Sequence, residues 1–247
     1  MSEQLLLDNI RNVLARLEET IIFELIERAQ FRHNPVIYRP GSFGPALEGE
    51  SLVGFHLKEI EKVHARIRRY TSPDEHPFFD GLPEPILPAL AYAENPLRPN
   101  TVNINRRLRM IYENEIVPAI CRPGDDRQYG SSSLCDVTCL QAVSKRVHYG
   151  KFVAEAKYRE NPEAFGELCR RGDAETLRER ITDPEVERAV LDRVKRKAET
   201  YCRELSRSGG PTADPAALEE TYRHYIIPLN KDVQVAYLLE TEANSES

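Results

Sequence analysis

SKRVHYGKFVAEAK, residues 144–157, sets five basic or potentially basic side chains among small and apolar ones. It shows no strand-like alternation and falls inside a run, 133–159, that reads as one long helix. A helix turns ~100° per residue and rises ~1.5 Å, so Arg146 and Lys157 project within about 20° of each other and lie ~16 Å apart along the axis. Gly150 and Val153 fall between them on that stripe, with Ala154 beside it. Lys145, Lys151 and Glu155 point elsewhere and are expected to face solvent. Two readings fit the stripe. The cations pair with carboxylates on neighbouring helices, or they flank a pocket, floored by Gly and Val, that takes a small anion. Buried charge is costly unless paired, so both readings require something negative nearby.

Working outward, residues 5–32 carry Leu7, Ile10, Leu14, Leu17, Ile21 and Leu25 at the spacing of a long amphipathic helix, which ends before HNPVIYRPGSFGP. Residues 51–70 give a second helix capped by Ser51. The segment TSPDEHPFFDGLPEPILPALAYAENPLRP is too long and too apolar for a flexible linker and is expected to pack on the helices as an ordered loop. Further helices are predicted at 101–121, in shorter pieces at 161–172 and 173–181, at 183–204 and at 215–240. Asp183 and Asp214 each precede a Pro and read as N-caps with Pro at the first helical position. No hairpin pattern, internal repeat or low-complexity block appears. The expected architecture is all-α, a single domain over residues 1–247.

The chain has 247 residues, 40% hydrophobic content and a formal net charge of −6, so it can bury a sizeable core and has no long-range field to attract nucleic acid or an anionic membrane. Any anion site must be local. No run approaches the ~18 apolar residues of a membrane span, and the start lacks a signal pattern, which predicts a cytoplasmic address. The five cysteines include no CxxC pair and are expected as buried free thiols, with no metal site. Cys135 and Cys139 could share a helix face, but two ligands make a poor zinc site.

Other polar residues also fall on apolar faces. Arg11 lies close to the stripe of Leu7, Ile10 and Leu14. Asp183 and Glu187 share a face at i, i+4, as do Asn230 and Gln234 among Ile226, Val233 and Tyr237. Two amides on an inner helix face each need hydrogen-bond partners. A third cation beside apolar neighbours favours a ligand with more than one negative charge.

At these residues the sequence resembles the eukaryotic-type, all-α chorismate mutases of fungi and plants. The resemblance is carried, in family order, by NIRNVLARLEETIIFELIER, HARIRRYTSPDEHPFF, YGSSSLCDVTCLQAVSKRVHYGKFVAEAKY, ITDPEVERAVLDRVKRKAETY and IIPLNKDVQVAYLL, which together reach over nearly the whole chain. It implies a homodimer that converts chorismate to prephenate by a Claisen rearrangement, on the way to phenylalanine and tyrosine. Such a pericyclic shift needs no cofactor, metal or nucleophile. It needs a dicarboxylate held in its reactive conformer and charge placed where the ether bond breaks. By match to the family motif, Arg11 and Arg146 clamp the carboxylates and Lys157 donates to the ether oxygen and a carboxylate. Glu187 accepts the ring hydroxyl, Gln234 is the second donor to the ether oxygen, and Asp183 and Asn230 line the pocket.

Three of these depart from the fungal pattern. Position 234 is usually Glu, position 230 Thr and position 183 Asn. An ionised Asp183 beside a substrate carboxylate would repel it, so Asp183 either turns away as an N-cap or weakens turnover. A relative that binds a chorismate-like dianion or an aromatic amino acid without efficient turnover is the alternative function. The resemblance also implies inhibition by tyrosine and activation by tryptophan at a site between subunits. Arg68, Arg69, Gln128, Gly130 and Ser131 match its effector residues. Leu134 and Asp214 stand where the pattern has Thr.

Overall fold

The apolar stripe of the first segment forms α1 (Leu7–Ala29), with Ile10, Ile21, Ile22, Leu25 and Ile26 buried. The structure, a computed structural model, describes residues 7–90, 95–207 and 213–244, and among these every regular element is helical. α2 (Leu52–Arg66) begins where the Ser51 hydroxyl accepts the Gly54 N–H at 3.0 Å. The helix is shorter than the expected 51–70, closing into a 3₁₀ turn at Arg69–Thr71.

Two long rods contain a single wide turn each. α3 (Asn105–Ile111) runs through a π turn at Tyr112–Ile116 into α4 (Val117–Ile120), and α10 (Pro215–Thr221) runs through another at Tyr222–Ile226 into α11 (Ile227–Ala243). Both π turns open on a fully buried tyrosine and lead into a proline, Pro118 or Pro228. A proline inside a helix has no N–H to donate and crowds the carbonyl four residues back. The i→i+5 turn absorbs that misfit, so the rods continue.

The expected helix at 133–159 is two helices, α5 (Tyr129–His148) and α6 (Gly150–Glu160), joined at Tyr149. The joint is tightened by an i→i+3 bond from the Phe152 N–H to the Tyr149 carbonyl at 3.1 Å. α7 (Pro162–Arg170), α8 (Ala174–Ile181) and α9 (Pro184–Arg207) follow. The caps sit where the sequence puts them: Asp183 Oδ1 accepts from the N–H groups of Glu185 and Val186 at 3.1 and 3.2 Å, and Asp214 Oδ1 accepts from that of Ala216 at 3.0 Å.

α5 is the central helix, packed against α1, α2 and α11. α1 also lies on α9, and α11 lies on α6, α7 and α8. The α5–α6 joint depends on a residue without a side chain. A Cβ on Gly150 would come within 2.8 Å of both the Asn230 carbonyl oxygen and Asn230 Nδ2. The backbone of α11 cannot yield without moving the rod, so Gly150→Ala is expected to cost about 1–3 kcal/mol. That corresponds to a fall of about 3–10 °C in Tm for a chain of this size. A thermal melt of the variant at the wild-type midpoint would show that α11 is free to shift.

The Pro-rich segment is ordered over its described residues and covers the outer side of α5 and α6. Phe78 and Phe79 pack on the core, and their N–H groups donate to the buried Glu61 carboxylate at 2.9–3.1 Å. This overturns the expectation that Lys145, Lys151 and Glu155 face solvent. Lys145 Nζ pairs with Asp74 and Glu75 at 3.0 and 2.8 Å. Lys151 is 3% exposed and donates to His76 Nε2 at 2.7 Å. Glu155 is 2% exposed and accepts from Arg98, Arg159 and the Tyr237 hydroxyl at 3.0, 2.7 and 2.7 Å. His76 stacks on His148 at 4.2 Å, and burial pushes their pKa values down to about 2 and about 4, so both are neutral at pH 7 beside Lys151. Among the described residues no helix is long and apolar enough to cross a membrane.

Candidate active site

A cavity of about 560 Å³ opens between α1, α5, α6, α9 and α11. All seven residues singled out for the site line it: Arg11 from α1, Arg146 from α5, Lys157 from α6, Asp183 and Glu187 at the start of α9, and Asn230 and Gln234 from α11. Their order in the chain gives no hint of the assembly. The first and last helices both reach this cavity because α1 and α11 both pack against α5. Apolar walls come from Ile10, Leu14, Val153, Val186, Val190 and Ile227.

Arg146 is 6% exposed, and its Nε and Nη1 have no hydrogen-bond partner. Burial is the main influence on it and lowers its pKa, opposed by Tyr222 and Glu18 and reinforced by Arg193. Lys157 donates Nζ to the Ile181 carbonyl at 2.5 Å and is likewise lowered by burial, with Asp183, Glu160 and Glu187 opposing and Arg11 adding. Among the described residues neither cation takes a carboxylate within salt-bridge distance. The reading in which neighbouring carboxylates neutralise them therefore fails. Arg146 above all is left buried without a carboxylate in salt-bridge distance, which favours an anion supplied by a ligand.

Two cations of the cavity were not singled out from the sequence. Arg193 lies along α9 from Glu187 and is held by the fully buried Glu18 in a two-point clasp, both distances 2.8 Å. Lys231 pairs with Glu187 at 2.9 Å. The spacing 183, 187, 190, 193 is helical and could have pointed to Arg193, whereas the Glu18 partner lies 175 positions away. Five cations against two carboxylates thus line one cavity in a protein of net charge −6. Arg11 sits at the exposed rim rather than in the α1 core. Asp183 is exposed, and its Oδ1 is engaged with the first turn of α9.

The amides form a chain. Asn230 Nδ2 donates to the carbonyls of Arg146 and Val147 at 3.2 and 3.0 Å, and Gln234 Nε2 donates to Asn230 Oδ1 at 2.9 Å. Gln234 Oε1 is buried without a protein partner. The whole arrangement offers buried positive charge and directed N–H groups in a partly apolar cavity. It is suited to holding a small dianion and to stabilising charge that develops on an oxygen within it.

The residues matched to an effector site are not brought together within the chain. α2 and α5 run parallel, with His56 beside Ser133 at 3.0 Å and His64 beside Gln141 at 3.2 Å. Arg69 lies at the Gln141 level, donating to its Oε1 at 3.0 Å and to Glu75 at 3.0 Å, and Arg68 donates to the Pro88 carbonyl. Ser131 is ten residues upstream of Gln141 on α5, about 15 Å along the axis. Gln128, Gly130, Ser131 and Leu134 are exposed at that other end, Leu134 by 58%.

Known proteins resemble the chain over nearly its whole length. Residues 129–235 match the family model described as chorismate mutase type II. The chorismate mutase of Schizosaccharomyces pombe is 46% identical over 245 residues, covering 97% of each chain. The crystal structure of the chorismate mutase of Candida albicans in complex with L-Trp superposes with a TM-score of 0.89 at 39% identity, covering 95% of this chain and 91% of that one. The crystal structure of AtCM1 with tyrosine bound in its allosteric site gives a TM-score of 0.87 at 43% identity, covering 96% and 97%.

Proposed function

Since the chain belongs to the chorismate mutase family, we propose that the cavity between α1, α5, α6, α9 and α11 is where it rearranges chorismate to prephenate. The carrying observation is Arg146, a nearly buried guanidinium with two unpartnered nitrogens, beside four further cations. A guanidinium fork matches a carboxylate in plane, so Arg146 and Arg11 hold the two carboxylates of the substrate. Held this way, the enolpyruvyl side chain lies over the ring. The ether C–O bond breaks as the new C–C bond forms, with no atom entering or leaving. Negative charge grows on the ether oxygen as its bond lengthens. Lys157, released from the Ile181 carbonyl, and the Gln234 amide donate to that oxygen. Glu187 accepts the ring hydroxyl. Asp183 serves the cap of α9, which leaves its charge occupied with backbone N–H groups rather than with the substrate.

An amide has no proton to lose between pH 5 and 8, so the Gln234 donor stays in place over that range. Chorismate consumption with matching prephenate formation is expected to be saturable, with kcat/KM level from pH 5 to 8. A profile that collapses above pH 6 would remove Gln234 from its donor role.

Regulation by aromatic amino acids is part of the same proposal, with two chains supplying one effector site. Arg68 and Arg69 of one chain and Gln128, Gly130 and Ser131 of a second would meet tyrosine or tryptophan. The ~15 Å separation within a single chain supports this, since one amino acid cannot bridge it. So do the exposed Val63, Ile67, Ile86 and Leu134. Sedimentation is expected to give twice the 28.3 kDa chain mass, and initial rates to fall with tyrosine and rise with tryptophan. A monomer indifferent to both would end the regulatory reading.

A further inference from the structure

We infer that Asn230 does not contact the substrate but acts as a positioning residue that sets which atom Gln234 presents to the cavity. Asn230 is 8% exposed, and its amide orientation is dictated by its surroundings. Nδ2 donates to two carbonyl oxygens, those of Arg146 and Val147 at the α5–α6 joint. With the amide reversed, Oδ1 would face those same two oxygens, acceptor against acceptor, with no donor between them. Both Nδ2 protons are therefore spent on backbone, and toward position 234 Asn230 can offer only an acceptor. Gln234, one turn later and 4% exposed, must answer with a donor, and its Nε2 lies 2.9 Å from Asn230 Oδ1.

An NH₂ group carries two protons, and one remains. With the amide held by Asn230, Gln234 keeps that second N–H and the unpartnered Oε1 for the cavity. The inference rests on the reading that Gln234 donates to the ether oxygen. Under it, the orientation of the catalytic donor is transmitted from the backbone of the α5–α6 joint through Asn230. The close approach at Gly150, where nothing larger fits beneath Asn230, is what lets the side chain reach those carbonyls. This also separates the two departures from the fungal pattern: Asn at 230 and Gln at 234 work as a pair, acceptor facing donor.

The pair makes a prediction about a carboxyl group at 234. Facing a fixed acceptor, Glu at that position can bond to Oδ1 only as the protonated acid. The other charges facing it are Arg11 from α1, Arg146 from α5, Lys157 from α6, Asp183, Glu187 and Arg193 from α9, and Lys231 on α11. These are the same whichever residue occupies 230, so a change there removes the acceptor without adding or removing a charge.

The experiment compares kcat and KM for chorismate between pH 5 and 9 in Gln234→Glu, alone and combined with Asn230→Ala. The single variant is expected to be active in acid and to lose activity as pH rises. Removing the acceptor is expected to move the midpoint of that loss down by one pH unit or more. With Gln at 234, Asn230→Ala is expected to lower kcat about tenfold while KM stays within twofold, because the carboxylate clamps are untouched. Should the Ala variant fail to fold by circular dichroism, Asn230→Thr replaces it, its hydroxyl being free to turn and donate to a carboxylate, with the same shift expected. A midpoint moved by less than half a unit, or a rise in KM with kcat unchanged, overturns the positioning role. Gln234→Ala at wild-type rate would instead overturn the donor reading itself, so the two failures are distinguishable.

Discussion

Replacing Arg146 with Met is expected to lower kcat/KM for chorismate by about 10³ or more and, at the same time, to raise the thermal midpoint. The loss follows from removing a carboxylate clamp in a desolvated site, where one directed donor is worth about 10²–10³ and a full-charge fork more. The gain follows from the resting state. Arg146 is almost wholly buried, its Nε and Nη1 have no partner, and burial alone dominates its lowered pKa. Methionine fills a similar volume without that charge, and replacing buried ionic groups by apolar ones of similar volume ranges from neutral to stabilising by about 1–4 kcal/mol. A chain of this size would gain about 2–4 °C per kcal/mol. Calorimetry and initial rates on the same preparation check both halves. A variant less stable than wild type would mean that Arg146 is a structural ion-pair partner after all.

Lys157→Ala is expected to act on kcat rather than on KM, with a fall of about 10²–10³. Lys157 is half-buried, and in the resting structure it spends its ammonium on the Ile181 carbonyl, so the fold does not depend on an ion pair there. Its value lies in the charge that appears on the ether oxygen as the bond stretches. An interaction strongest in the transition state lowers kcat when lost. Lys157→Arg is not expected to restore the rate, since a planar fork cannot replace a point charge at one oxygen. Comparable turnover in wild type and Lys157→Ala would remove Lys157 from the mechanism.

The difference between these two residues and their neighbours shows what the helical period can and cannot read. Arg146 and Lys157 line one cavity, as their eleven-residue separation implied, even though Tyr149 divides the helix between them. The same period put Lys151 and Glu155 in solvent, and both are buried. The period tells which residues share a face. It says nothing of what covers the opposite one. Here the cover is the segment after α2, whose His76 and Arg98 reach Lys151 and Glu155 across 75 and 57 positions. In the same way the cation stripe could not reveal that Glu18, the carboxylate that acts on Arg146, is clasped by Arg193 from another helix.

Much was determined by the chain alone. Apolar spacing and the Ser51, Asp183 and Asp214 caps set the helices, because both act within about one turn and depend on residues two to four apart. The residue-by-residue resemblance named seven of the side chains that line the cavity. What the tertiary structure decided is of another kind: the tightened joint at Tyr149, the π turns before Pro118 and Pro228, the covering of α5 and α6, and the Asn230 bridge from the Arg146 and Val147 carbonyls to Gln234. The covering and the bridge depend on where distant backbone comes to rest, whereas the joint and the π turns are local geometry that the helical period does not record. The Asn230 carbonyl and side-chain amide, each 2.8 Å from where a Cβ would stand, leave no room for a side chain at Gly150, and no local pattern in the sequence records those distances.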